Sequence, residues 1–68
     1  MNATTYGAPF RDRLDRLVFR GDRVRNIRTG LEYIVNNIVS AERLDAVRVE
    51  RGVSAMASLP ADETELLN

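Results

Sequence analysis

Residues 19–39 read FRGDRVRNIRTGLEYIVNNIV, and this stretch decides the fold. Gly21-Asp22 breaks the preceding pattern, and Thr29-Gly30 supplies a turn in which glycine tolerates positive φ. Between and after these breaks lie an arginine-rich run and a run rich in Tyr, Ile and Val, the residue types that suit a pleated surface. Two strands around a tight turn are therefore predicted, over residues 23–28 and 32–39. Regular alternation places Tyr33, Val35, Asn37 and Val39 on one face of the second strand, and Ile34, Asn36 and Ile38 on the other. A strand apolar on both faces needs cover on both. Val24 and Ile27 are three apart and cannot share a face of a regular strand, so a bulge is expected between them, which would also add curvature.

Upstream, Phe10, Leu14, Leu17 and Val18 follow one stripe at helical spacing, and Pro9 suits a first helical position. Arg11–Asp15 and Asp12–Arg16 are opposite charges at i,i+4. These features predict an amphipathic helix over residues 9–18, with an extended Leu17-Val18-Phe19 that pairs with a later strand as the alternative for its end. Either the helix or a partner protein is expected to cover Ile34 and Ile38. Both phenylalanines, Phe10 and Phe19, read as core. Residues 1–8 are small, polar and aperiodic, and are predicted to be mobile. Downstream, residues 40–45 read as a polar connection. A third strand follows over 46–51, with Val47 and Val49 inward and Arg48 and Glu50 outward. Small residues alternate over 53–57 in a short fourth strand, and Pro60 interrupts it. The domain is thus expected over residues 9–59, with residues 60–68 an acidic tail in which Asp62 caps at most a short final turn.

A chain of 68 residues is one small domain with a thin core. It contains no cysteine and no histidine, which removes disulfides and the ligand types that dominate structural zinc sites. All ten basic residues are arginine, balanced by ten acidic residues. The balance is uneven along the chain. Residues 10–30 carry seven arginines against Asp12, Asp15 and Asp22, whereas the last eight residues carry Asp62, Glu63 and Glu65 and no basic residue. Such asymmetry points to an interaction protein. No run approaches the roughly 20 apolar residues that span a bilayer, and the N-terminus lacks a basic leader and an apolar signal core. A cytoplasmic protein with no membrane association is expected.

Short strands joined by glycine turns suggest a small barrel or partly open sheet. Gly21-Asp22-Arg23-Val24-Arg25, followed by Thr29-Gly30 and then Tyr33-x-Val35, resembles the first strands of SH3-like small barrels, most closely those of the KOW type. Val47-Arg48-Val49 fits the next strand of such a barrel, so the resemblance covers about residues 19–59. The sequence departs from the KOW pattern after the glycine turn, where the apolar-glycine-apolar element is not evident. The resemblance implies a mainly β, SH3-like barrel or open sheet of about four strands behind the helix. KOW-type barrels contact RNA polymerase or RNA, which makes both ligand classes expectations by analogy.

Catalysis is poorly provided for. No cysteine, histidine or lysine is present to act as, or to activate, a nucleophile, and no glycine-rich phosphate loop or metal-ligand cluster is visible. No enzyme, cofactor or metal is expected. Arg20-Gly21-Asp22 spells an adhesion tripeptide, but reads as the turn that starts a strand. The candidate contact residues are Arg20, Arg23, Arg25 and Arg28, extended by Arg43 and Arg48. On an open strand edge they would serve both β-addition and pairing with an acidic protein. The competing reading is a solvated face in which they pair with Glu32 or Glu50. Exposed stacking aromatics, which single-strand nucleic-acid binders use, are scarce. The expected function is a small non-catalytic regulator docking on a protein of the transcription machinery, as a phage-type regulator docks on bacterial RNA polymerase. A nucleic-acid-binding module and a self-associating assembly subunit are the alternatives.

Overall fold

The structure is a computed structural model that describes residues 9–50, 52 and 55–67. It is mainly β. A hairpin of two short strands, β1 (Phe10–Arg11) and β2 (Leu17–Val18), precedes β3 (Arg23–Asn26), β4 (Glu32–Ile38), β5 (Arg43–Arg48) and β6 (Met56–Pro60). A short 3₁₀ turn, Ala61–Glu63, leads into β7 (Thr64–Leu66). The strands β3 to β6 form an antiparallel meander, and β7 returns to the free side of β3, giving the order β6-β5-β4-β3-β7.

Each junction has a local cause. Phe19 to Asp22 is a closed turn in which the Asp22 N–H donates to the Phe19 carbonyl and the Phe19 N–H donates to the Asp22 carboxylate. Its third residue, Gly21, has φ +90°, a conformation that side chains resist. The Arg20-Gly21-Asp22 tripeptide is thus a strand-starting turn, as expected. The β3–β4 turn is organised by buried Asn26, whose side-chain oxygen accepts the N–H groups of Arg28 and Thr29. The Gly30 N–H closes it on the Asn26 carbonyl, with φ +79° at Gly30. Thr64, fully buried, donates its hydroxyl to the Pro60 carbonyl and so pins the 3₁₀ turn.

The core comprises Phe10, Val18, Val24, Tyr33, Val35, Leu44, Ala46 and Leu59, with Leu31, Ile38, Ala57, Ala61 and Leu66 packed against it. It corrects the expected face of β4. The pairing shifts between Val35 and Asn37: Val35 faces Ala46, Asn37 faces Asp45 and Ile38 faces Leu44, so Asn36 is an extra residue. This bulge reverses the alternation. Ile38 turns onto the core while Val39 is exposed, and Ile34 remains outside. The bulge expected between Val24 and Ile27 is absent because β3 ends at Asn26, leaving Ile27 exposed in the turn.

Three further expectations are corrected. β5 starts at Arg43, earlier than expected, so Leu44 and Ala46 face inward while Val47 and Val49 belong to the outer face. β6 covers Met56–Pro60 rather than 53–57, with Leu59 its core residue; Val53 and Ser54 lie outside the described residues, as do residues 1–8. Pro60 ends an edge strand, where a missing N–H is tolerated. The supposed acidic tail is built into the sheet as β7, with Thr64 opposite Asn26 and Leu66 opposite Val24.

Residues 9–18 form no helix. Phe10 pairs with Val18 and Arg11 with Leu17, across a loop in which Asp15 adopts φ +65°. Phe10 and Val18 are buried, but Leu14 and Leu17 are exposed, and so is Phe19. The loop is held by Asp12, whose side chain is fully buried. One carboxylate oxygen, Oδ1, accepts the backbone N–H groups of Leu14 and Arg16 at 2.9 and 2.8 Å. The other, Oδ2, accepts Arg16 Nε at 3.0 Å, Arg16 Nη2 at 2.9 Å and the Leu66 N–H of β7 at 2.8 Å. The Arg13 N–H donates to the Thr64 carbonyl, and Arg16 Nη2 to the Leu66 carbonyl. The loop therefore covers the outer edge of β7. Burial pushes the Asp12 carboxyl pKa up and is its largest single influence. The Leu66 N–H, the Arg16 N–H, the Arg16 guanidinium and the Leu14 N–H together outweigh it and hold the group below the usual carboxylate value.

Two stability predictions follow from these contacts. In the Asp12→Asn variant an NH₂ group in place of Oδ2 would confront donors from Arg16 and Leu66, and the loss at neutral pH should be about 1.5–3 kcal/mol by urea unfolding. Because the folded pKa is depressed, the contribution of Asp12 is complete above its unfolded value of about 3.9 and disappears as pH falls through the folded value. The gap between wild type and variant should accordingly close below about pH 4; a gap that stays constant to lower pH would refute the assignment. Separately, Ile38→Ser should cost about 1–3 kcal/mol and Ile34→Ser less than about 1 kcal/mol, although plain alternation puts both on one face. The reverse order would overturn the bulge.

Candidate functional site

The six arginines singled out in the sequence do not converge. Arg20 lies in the turn before β3 and Arg28 in the turn after it, at opposite ends of the strand. Arg23 and Arg25 share the outer face of β3, and Arg43 shares the outer face of β5 with Asp45 and Val47. Arg48 belongs to the opposite alternation. β3 is also not an open edge, because β4 and β7 flank it. The expectation of β-addition along the arginine strand is thereby corrected.

Much of this charge is internally matched. Arg25 meets Glu32 at 3.2 Å and Arg28 meets Glu63 at 3.3 Å. Arg48 bonds to Glu50, while Arg43 donates to the Ser58 hydroxyl at 3.2 Å. The pairings with Glu32 and Glu50 weighed in the sequence thus both form. All are at least partly solvent-exposed and so are worth little individually. Their effect is to leave a neutral, arginine-studded rim rather than a basic groove.

What the sheet does bring together is a row across its outer face. Arg23 lies opposite Ile34, Ile34 opposite Val47, and Val47 opposite Met56. Ile34 is 36% and Met56 59% exposed, with Val49, at 38%, on the same side of β5. One flank of the row is charged: Arg25 stands between Glu32 on β4 and Glu65 on β7. On the other flank stand Asn37, Asp45 and Ser58, with Arg43 beyond them. An apolar centre within a polar, arginine-containing rim has the anatomy of a protein-binding patch. Met56 and Val47 were missed in the sequence. Starting the third strand at Arg43, so that Leu44 and Ala46 make the inward pair, would have revealed them.

A shallow depression of about 370 Å³ lies at the Pro60 end of β6, lined by Glu42, Arg43, Pro60, Ala61 and Asp62. Its ionisable groups are two carboxylates and a guanidinium, without a histidine, cysteine or lysine for proton transfer or nucleophilic attack. Among the described residues no three His, Cys, Asp or Glu side chains are grouped to hold a metal ion, and no helix is long and apolar enough to cross a membrane. Asp12, the group with a shifted pKa, has both oxygens engaged by the loop and β7. It is a structural staple. Comparison of the chain with protein-family models, with curated protein sequences and with solved structures finds no match.

Proposed function

We propose that the chain is a non-catalytic binding module of SH3-like barrel type, which docks a protein partner on the outer face of β3–β6. The observation that carries this reading is the row Arg23–Ile34–Val47–Met56, apolar at its centre and charged at its margins. The short Ala61–Glu63 link from β6 at one edge of the sheet to β7 at the other supports the barrel, because so short a connection requires the two edges to curl toward each other. Arg23, Arg25 and Arg43 are the contact arginines of this face; Arg20, Arg28 and Arg48 lie outside it. The margin is mixed in charge, with Arg23, Arg25 and Arg43 beside Glu32, Glu65 and Asp45, and so favours a partner surface with apolar side chains inside a margin that carries both signs. The KOW-like start of β3, Gly21-Asp22-x-Val24, makes bacterial RNA polymerase the first such partner to test, in the role of a small transcription regulator.

The test is a titration of the intact chain against purified bacterial RNA polymerase, with RNA and DNA as parallel ligands. Polymerase binding should weaken at least about tenfold, or ~1.4 kcal/mol, in the Arg23→Glu, Ile34→Ser double variant. The melting temperature should fall only slightly, because both residues are solvent-exposed. Arg25→Glu is the less clean probe, since it would stand between Glu32 and Glu65 and repel both. Absence of polymerase binding removes that partner. Binding to nucleic acid instead, with affinity falling steeply as salt rises, would transfer the arginines to phosphate contacts.

A further inference from the structure

The five-stranded sheet ends in two different edges. The β7 edge is occupied by the Asp12 loop, through the Leu66 N–H and the Thr64 carbonyl. Among the described residues, the β6 edge has β5 on one side and no strand on the other. The ladder fixes which of its groups face outward. The Arg48 N–H donates to the Ala55 carbonyl and the Ala61 N–H to the Glu42 carbonyl, so hydrogen-bonded pairs recur at Ala46–Ala57 and Leu44–Leu59. Ala57 and Leu59 are therefore spent on β5. The N–H and C=O groups of Met56 and Ser58, and the carbonyl of Pro60, point away from the sheet.

Natural open edges are normally guarded by charges, lysine or bulges. β6 carries no charged residue, and the chain has no lysine; its one guard is Pro60, at the far end. We infer that β6 is a self-pairing edge, at which a second copy of this chain docks antiparallel about a two-fold axis through Ala57. The inference is independent of the protein partner proposed above.

Several features fit a second copy. About that axis Met56 pairs with Ser58 of the other copy, and Ser58 with its Met56, each pair exchanging both main-chain bonds. Pro60, which has no N–H, falls outside these pairs. The residues at the axis are small: Ala57 meets its own counterpart, so the backbones can approach without side-chain conflict. On the outer face the two Met56 side chains become diagonal neighbours, joining the Ile34–Val47–Met56 rows of the two copies into one apolar band. The chain has zero net charge, so no net repulsion opposes the approach. Since the β7 edge is covered, the pairing closes at a dimer instead of growing into a fibre. The strand is short, so the dimer is weak and dependent on concentration.

Sedimentation and hydrogen exchange of the intact chain test this together. As concentration rises from micromolar to millimolar, the average mass should rise toward twice the monomer mass. Over the same range the Met56 and Ser58 amides should slow at least about tenfold, whereas Ala57 and Leu59 should be protected throughout. Ser58→Pro removes an outward N–H that the monomer does not use, and Met56→Lys adds an edge guard. Each should hold the chain monomeric, with Ala57 and Leu59 still protected as proof of folding. A monomer across the range overturns the inference, as does a dimer that survives both substitutions. Protection of Met56 and Ser58 that arises only with a different protein present would give the edge to that protein and also overturn it.

Discussion

The buried carboxylate of Asp12 is the constraint on which the remaining structure depends. A charged group without solvent contact is tolerated only when its oxygens are fully hydrogen-bonded, and here the donors come from two distant parts of the chain. Leu14 and Arg16 fold the loop around the carboxylate, and Leu66 attaches that loop to β7. The attachment sets three things at once. It closes the hairpin that carries Phe10 and Val18 into the core, it holds β7 against β3, and it covers an edge that would otherwise be open. A small domain without disulfides has little core to spare, so a polar staple of this kind carries a large share of its specificity.

The same residue explains why the N-terminal part of the fold was illegible in the sequence. The spacing of Phe10, Leu14, Leu17 and Val18 satisfies a helix, and the i,i+4 ion pairs Arg11–Asp15 and Asp12–Arg16 both exist. They form across a hairpin loop, which brings i and i+4 together as a helical turn does. What separates the two solutions is the bond from Asp12 to Leu66, 54 residues away, and local periodicity carries no trace of it. Nearer features were readable. The turns at Gly21 and Gly30 are fixed by a single backbone angle and by side chains two or three residues off, so they stand where the sequence places them. The strand character of residues 32–38 was equally plain. Its facing was not, because the bulge at Asn36 depends on the partner strand.

The candidate site was legible only in part, for a related reason. Arginines are conspicuous in the sequence, but their partners are set by the register: Arg25 finds Glu32 across β3–β4, and Arg28 finds Glu63 near the start of β7. The balance of ten basic and ten acidic residues is thus partly a structural pairing rather than a reserve of charge for a ligand. The apolar row at the centre of the outer face is assembled one residue per strand from Ile34, Val47 and Met56, and a pattern that crosses strands leaves no signature along any one of them.

The late position of β7 in the chain has a consequence for how the domain is made. Its pairing with β3 joins residues some forty apart, and the Asp12–Leu66 bond spans more. Such distant closure is slow, because loop entropy is lost before the contact rewards it. Until β7 docks on β3, the meander of β3 to β6 has two uncovered edges among the described residues instead of one. A unit with one sticky edge stops at a pair, whereas a unit with two can add copies without limit. The last strand is thus also a terminator of assembly, and a chain cut before Thr64 is exposed to polymerisation as well as to instability.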